Sequence, residues 1–208
     1  MKRFFFIVTS IFLLFSQLFA QGVKKGNVGI DLGIGLGLHC ESTDKGYGYD
    51  NWGGIGLCSL IPIYVSYAVA NNLSAGIDFE RNGYYYANDN NSYFRLFNFG
   101  NFVTFRILNK EKNLLYIEGI VNYSYLSAGN TNTDDKVHGS GLNIQAGLGY
   151  KHFFGNYFGY FISAAFANYK YNEIIDQNGF NVKLYENLVK YEYRLCGANI
   201  RTGLCFKF

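Results

Sequence analysis

Apolar and polar residues alternate along most of this chain with a period of two. In the first such segment the apolar positions are Val28, Ile30, Leu32, Ile34, Leu36 and Leu38, and the positions between them are Gly29, Asp31, Gly33, Gly35 and Gly37. A helix is excluded, because each glycine in a helix interior costs about 1 kcal/mol relative to alanine. Successive side chains of a strand point to opposite faces, so the segment predicts a strand with one apolar face.

Seven further segments show the same alternation. They cover residues 55–70, 73–80, 94–108, 115–125, 142–150, 157–171 and about 191–208. Short links at 70–72, 109–112 and 155–156 alternate with long polar links at 40–53, 81–92, 127–139 and 172–190. A Greek-key β-sandwich, the alternative, gives no such alternation. The pattern predicts an all-β fold: a transmembrane, antiparallel, up-and-down β-barrel of eight strands, with short periplasmic turns and long external loops.

The beginning of the chain is typical of a secretory signal peptide. Lys2 and Arg3 precede an apolar stretch that runs to Phe15, and the small residue Ala20 precedes a polar start of the mature chain. The apolar stretch is shorter than the ~20 residues that a spanning helix needs. We therefore predict a cleavable signal peptide at residues 1–20, export, and a single barrel domain at residues 21–208.

The end of the chain carries a second signal. The last eight residues, Arg-Thr-Gly-Leu-Cys-Phe-Lys-Phe, are similar to the C-terminal assembly signal of bacterial outer-membrane proteins, and the matching positions are Arg201, Gly203, Phe206 and Phe208. With the strand spacing, the mature chain resembles the small barrels of the OmpA/OmpX type. The resemblance implies an outer-membrane location, surrounding outer-membrane lipid, and recognition by the barrel assembly machinery.

The composition is rich in aromatic residues and argues against a nucleic-acid partner. The chain has 19 tyrosines, 20 phenylalanines and only 16% charged residues, with a mean hydropathy of −0.01. A formal net charge of +3 is too small for the strongly basic surface that binds nucleic acid, so we predict no nucleic-acid partner. The aromatic residues predict two girdles at the membrane interfaces, a periplasmic one with Phe105, Tyr116, Tyr157, Phe206 and Phe208 and an outer one with Tyr125, Tyr169 and Tyr193.

If the apolar face meets lipid, a set of charged residues shares the inner face: Asp31, Asp78, Glu80, Arg106, Glu118, Lys151 and Arg201. Buried charges need partners, so we predict an ion network that plugs the lumen. Strand order suggests that Asp31 neighbours Arg201, and that Glu118 stands between Arg106 and Lys151. The alternative is a narrow conduit gated by a switchable ion pair.

The cysteines and histidines offer little chemistry. Cys40 and Cys58 flank the first external loop on adjacent strands, which makes a disulfide between them plausible in an oxidising compartment. His138 and Ser140 resemble the lipid-facing His-x-Ser of a lipid A deacylase family, but Glu173, the nearest acid, falls on the opposite phase. No spacing indicates a metal, so we predict no enzyme activity and no cofactor.

The external loops remain as the functional candidates. Tyr47, Tyr49, Trp52, Tyr84, Tyr85 and Tyr86 lie there among Asn, Asp and Gly, a composition suited to binding an extracellular protein or glycan. It is equally the composition of plain loop sequence. The predicted function is structural or surface interaction, and the alternative is a small transport or lipid-handling barrel.

Overall fold

The computed structural model describes residues 22–44, 50–85, 92–130, 136–176 and 192–208, with the backbone alone at 42–44, 50–54, 173, 176 and 192. The predicted signal peptide at residues 1–20 lies outside the described residues. So do Tyr47, Tyr49 and Tyr86 of the predicted external loops.

Eight antiparallel strands form the whole of the described fold. They are β1 (Val28–Asp44), β2 (Asp50–Ala70), β3 (Leu73–Tyr85), β4 (Ser92–Asn109), β5 (Asn113–Asn130), β6 (Lys136–Phe153), β7 (Phe158–Asp176) and β8 (Glu192–Lys207). Each strand pairs with the next, and β8 pairs with β1, so the sheet closes into a barrel. The predicted eight-stranded antiparallel barrel is confirmed. Closure leaves no unpaired sheet edge, which a strand in lipid requires.

Among the described residues, no helix is long and apolar enough to cross a membrane.

Several strands continue beyond the apolar alternation that predicted them. β3 runs to Tyr85 rather than to residue 80, and β5 and β6 together take up most of the loop predicted at 127–139. The apolar pattern stops where lipid contact stops, whereas the backbone ladder continues into the external space. The predicted loops at 81–92 and 127–139 are therefore too wide.

The outer surface of the barrel is an apolar belt. Ile34 is 67% exposed and Ile55 70%, and most other apolar residues of the same phase are also exposed. The inner face carries polar, small and aromatic residues. On β1 the inner glycines make room for larger side chains opposite: a Cβ at Gly37 would lie 2.5 Å from Oδ1 of Asn199.

The prediction of two aromatic girdles is wrong at three positions. Tyr116, Tyr169 and Tyr193 lie inside the barrel and are 5%, 0% and 6% exposed. They belong to the inner phase of their strands, and their rings fill the lumen instead of meeting lipid headgroups. Tyr125 faces outward as predicted.

Candidate functional site

The charged centre of the lumen is built around Arg201 of β8. Its Nε donates to Oε2 of Glu80 at 2.6 Å, and both side chains are fully buried. Its Nη1 lies 3.8 Å from Oε1 of Glu118, a longer ion pair. Its Nη2 donates to Oε1 of Gln145, which also accepts from Nδ2 of Asn199 at 3.4 Å. We call these five residues the central network.

The network reaches across the lumen rather than between adjacent strands. Arg201 is on β8, Glu80 on β3 and Glu118 on β5. The predicted neighbours are therefore wrong: Asp31 pairs in register with Cys205, and Arg201 pairs with Gly35. A closed barrel of this size brings inner side chains from opposite walls into contact.

The other predicted lumen charges lie closer to the termini. Nζ of Lys151 donates to Oδ2 of Asp31 at 2.5 Å. Nη1 of Arg106 donates to the backbone oxygen of Asn71 at 3.0 Å, and Nη2 donates to Oγ of Ser74. The prediction that Glu118 stands between Arg106 and Lys151 is wrong, since its described ion pair is with Arg201.

Asp78, the remaining charge of the set, faces the lumen beside Asn122. Its Oδ2 accepts from Nδ2 of Asn122 at 2.5 Å. The other oxygens of both residues, and both polar atoms of Asn143, are buried without a hydrogen-bond partner in the described structure. Buried polar groups are normally satisfied by protein or ordered water, so this level of the lumen suits water molecules.

A layer of polar side chains continues toward the external end. His39 bonds Asn199 through Nε2 at 2.9 Å and the hydroxyl of Tyr84 through Nδ1 at 2.6 Å. Nδ2 of Asn82 donates to the hydroxyl of Tyr169 at 2.9 Å. Each hydroxyl thus finds a polar partner while its ring packs among apolar groups, the usual arrangement for buried tyrosine.

Above this layer, the external half of the lumen is filled by an apolar and aromatic cluster that the sequence did not predict. Its buried members, which we call the external plug, are Phe94, Leu96, Leu126, Ala167, Tyr169, Tyr171, Ile174, Tyr193 and Leu195. The rings interlock: Phe94 lies 6.1 Å from Tyr193, and Tyr193 lies 6.1 Å from Tyr171, centroid to centroid. The signal was present in the sequence as large residues on the inner phase of β4, β7 and β8.

The periplasmic end, where Gly22 and Phe208 lie, is closed by a second apolar cluster. It consists of Val23, Ala68, Leu114, Phe153, Phe161 and Cys205. Val23 comes from the segment before β1, and Asn109 holds it: Val23 N donates to Oδ1 of Asn109, and Nδ2 of Asn109 donates to Val23 O, each at 2.9 Å. A cavity of about 30 Å³ lies above this cluster, beside Arg106 and Lys151. It has room for about two or three water molecules, each of which needs about 10–15 Å³.

The residues predicted as external contacts do not all face the outside in the structure. Tyr85 is 62% exposed at the external end of β3. Trp52 lies in the backbone ladder of β2, opposite Ser42. Tyr84 is on the inner face and bonds His39, so its prediction as an external contact is wrong. Period-two geometry separates Tyr84 from Tyr85, because adjacent strand residues face opposite sides.

The predicted disulfide between Cys40 and Cys58 is also wrong. The two residues lie on opposite faces of the barrel wall, so their thiols cannot meet. Cys58 is buried in the lumen beside His39, whereas Cys40 follows His39 in β1 and therefore points outward. In the ladder Cys58 pairs with Gly37, and Cys40 pairs with Ile55.

The side chain of Glu173, the acid considered beside His138 and Ser140, lies outside the described part of the structure. A β-bulge in β7 shifts the backbone register, so that Ser140 pairs with Glu173 and Gly141 pairs with Tyr171. His138, two residues before Ser140, stacks on Tyr125 with ring centroids 5.7 Å apart and an 18° angle.

The C-terminal residues that resemble an assembly signal complete the barrel wall. Arg201 points into the lumen, and Phe208 is 60% exposed at the periplasmic end. The backbone N and O of Phe208 bond the O and N of Val28, each at 2.9 Å. The last residue of the chain thereby extends the ladder between the first and last strands.

Two solved structures of outer-membrane proteins are similar to this chain. The crystal structure of OprG from Pseudomonas aeruginosa matches 91% of this chain and 99% of its own, with a TM-score of 0.58 at 13% identity. The chain has the fold of a small outer-membrane barrel. The solid-state NMR structure of AlkL in lipid bilayers matches 91% of this chain and 93% of its own, with a TM-score of 0.52 at 11% identity.

No protein-family model matches the sequence, and no curated protein matches it. The likeness is therefore one of fold. Together with the exposed apolar belt of the strands, it assigns the chain to the outer membrane as an integral barrel protein.

Proposed function

We propose that this barrel is a closed, non-enzymatic scaffold that displays its external loops to a protein or glycan outside the cell. The observation that carries the proposal is the filling of the lumen at three levels, by the external plug, the central network and the periplasmic cluster. A filled lumen leaves no wide path for a solute.

The burial of the filling side chains supports closure. Leu96, Tyr169 and Tyr171 are 0–1% exposed, and so are Arg201 and Glu80 below them. The strands use their outer face for lipid and their inner face for this packing. The periplasmic turns are only a few residues long. Binding residues concentrate on loops held by a rigid scaffold, and the external loops are the remaining surface.

The loop sequences supply residue types that suit such a role. Tyr47, Tyr49, Tyr85 and Tyr86, with Trp52, are aromatic residues at or next to the external links. Tyrosine and tryptophan dominate interface hot spots because they bury a large area at little conformational cost. Tyr84 is not among these candidate binding residues, because its hydroxyl forms a hydrogen bond with His39 inside the barrel.

Binding by the loops is tested by replacing Tyr47, Tyr49, Trp52, Tyr85 and Tyr86 with Ser together. We expect the variant to fold, shown by heat-modifiable mobility on gels, and to lose binding to a panel of immobilised glycans and to host-cell monolayers. Tyr84→Phe is the matched control and should bind normally. A folded loop variant that binds as well as the wild type contradicts the proposal.

Closure is tested separately by planar-bilayer conductance of the refolded protein. We expect no single-channel steps from the wild type. The alternative function, a narrow conduit, is favoured by the unpartnered polar atoms of Asp78, Asn122 and Asn143. Transport would be the better proposal if the wild type gave reproducible conductance steps and if Arg201→Ala or Glu80→Ala changed their size.

A further inference from the structure

The first and last strands of the barrel carry one cysteine each at the same level of their shared ladder. Cys40 of β1 and Cys196 of β8 are direct partners in the antiparallel register. This register runs without a shift from Gly29 opposite Lys207 to Asp44 opposite Glu192. The two residues are 156 positions apart in the chain and meet only because the barrel closes.

Both cysteines face the outer surface. In β1, His39 points into the lumen and Leu38 is 54% exposed, so Cys40 takes the outward phase. In β8, Leu195 is buried and Ile200 is exposed, which gives Cys196 the same outward phase. Both side chains are partly exposed.

The backbone geometry matches what a disulfide needs. Opposite residues of an antiparallel pair have Cα atoms about 4.5 or 5.5 Å apart, and disulfides form at about 4.4–6.8 Å. Next to Cys196, a Cβ at Gly197 would overlap the backbone oxygen of Leu38. The absence of a side chain there allows β8 to approach β1 closely at this level.

The other two cysteines do not compete for either thiol. Cys58 and Cys205 are fully buried inside the barrel, one near His39 and the other in the periplasmic cluster. The barrel wall separates each of them from the outer face.

We propose that Cys40 and Cys196 form a disulfide that covalently joins β1 to β8 at the external end of the barrel seam. The oxidant is a disulfide compound that reacts by thiol–disulfide exchange. One thiolate attacks a sulfur of the oxidant and releases the first thiol. The second thiolate then attacks the mixed disulfide, forming the Cys40–Cys196 bond and releasing the second thiol. The two cysteines lose two protons and two electrons, and the oxidant gains them.

The test uses the full mature chain refolded in lipid vesicles and treated with glutathione disulfide. The background variant Cys58→Ala with Cys205→Ala retains only the two outer cysteines. We expect its mass to fall by two hydrogen atoms, with no later labelling by maleimide, and a digest without reductant to join the peptides that contain Cys40 and Cys196. Cys40→Ser in this background should carry one glutathione and give no joined peptide.

Urea unfolding provides a second test, because the disulfide should stabilise the folded barrel. The oxidised background variant should unfold at a higher urea concentration than its reduced form, and reduction should make no difference in the Cys40→Ser variant. Two glutathione adducts, two maleimide adducts after oxidation, or cross-linked dimers in place of the internal bond would each overturn the proposal. The wild type from outer membranes should contain the same joined peptides.

Discussion

Arg201 and Glu80 form an ion pair of 2.6 Å in the lumen, and both side chains are fully removed from solvent. Transfer of such charges out of water is costly, and the pair persists because each group keeps its partner. Gln145 adds a further acceptor for the guanidinium. Loss of one member would leave the other charged and buried.

Replacing Glu80 with Ala should therefore destabilise the barrel by about 3–5 kcal/mol, the usual cost of breaking a buried pair. Glu118→Ala should cost less, because its 3.8 Å contact is secondary and Arg201 retains Glu80. Urea unfolding of both variants in lipid vesicles gives the comparison. Equal losses would show that the two carboxylates share the arginine equally, and a larger loss for Glu118→Ala would show that Glu118 is its main partner.

At the scale of elements, the segment before β1 is tied to the turn between β4 and β5. Asn109 bonds both backbone polar groups of Val23, and Val23 itself packs in the periplasmic cluster. Gly26, with a φ of 95°, lets the segment turn into β1. The periplasmic end is thus closed by a piece of chain outside the sheet.

Asn109→Ala should release this segment. Two hydrogen bonds at about 1 kcal/mol each are lost, so trypsin should cut after Lys24 or Lys25 roughly ten times faster or more, while the strands stay resistant. The control is Asn156→Ala, an exposed residue in another turn of the same rim. Unchanged cleavage in Asn109→Ala would mean that Val23 is held by packing alone.

For the whole molecule, closure depends on the ladder between β1 and β8, which Phe208 extends at its periplasmic end. Phe208 therefore combines two roles, backbone pairing with Val28 and the terminal aromatic of the sequence that resembles an assembly signal. The two roles separate experimentally, since Phe208→Ala keeps the backbone.

Deletion of Phe208 should reduce the amount of heat-modifiable protein in the outer-membrane fraction and raise the amount in the periplasm. Phe208→Ala should show nearly the same loss if the aromatic ring is the signal. Near-normal assembly of Phe208→Ala beside a defective deletion would assign the effect to the ladder. A wild type that is soluble in the periplasm would contradict the membrane assignment itself.

The strand count, the apolar outer face and the inward phase of the charged residues could all be predicted from the sequence. The reason is that alternation of side chains is a local property of every strand, and lipid requires one face to be apolar. The same local rule, applied to Tyr84, Tyr169 and Tyr193, would have placed their side chains in the lumen, where the sequence analysis did not expect them.

The contacts between inner residues, in contrast, could not be predicted from the sequence and depend on how the barrel closes. Closing the barrel staggers the strands, which places Arg201 opposite Gly35 and aims it across the lumen at Glu80. A single bulge in β7 set the register of Glu173. The pairing of Cys40 with Cys196 also follows from closure, because these residues come from opposite ends of the chain. Stagger and closure are properties of the whole sheet, and no local pattern of residues encodes them.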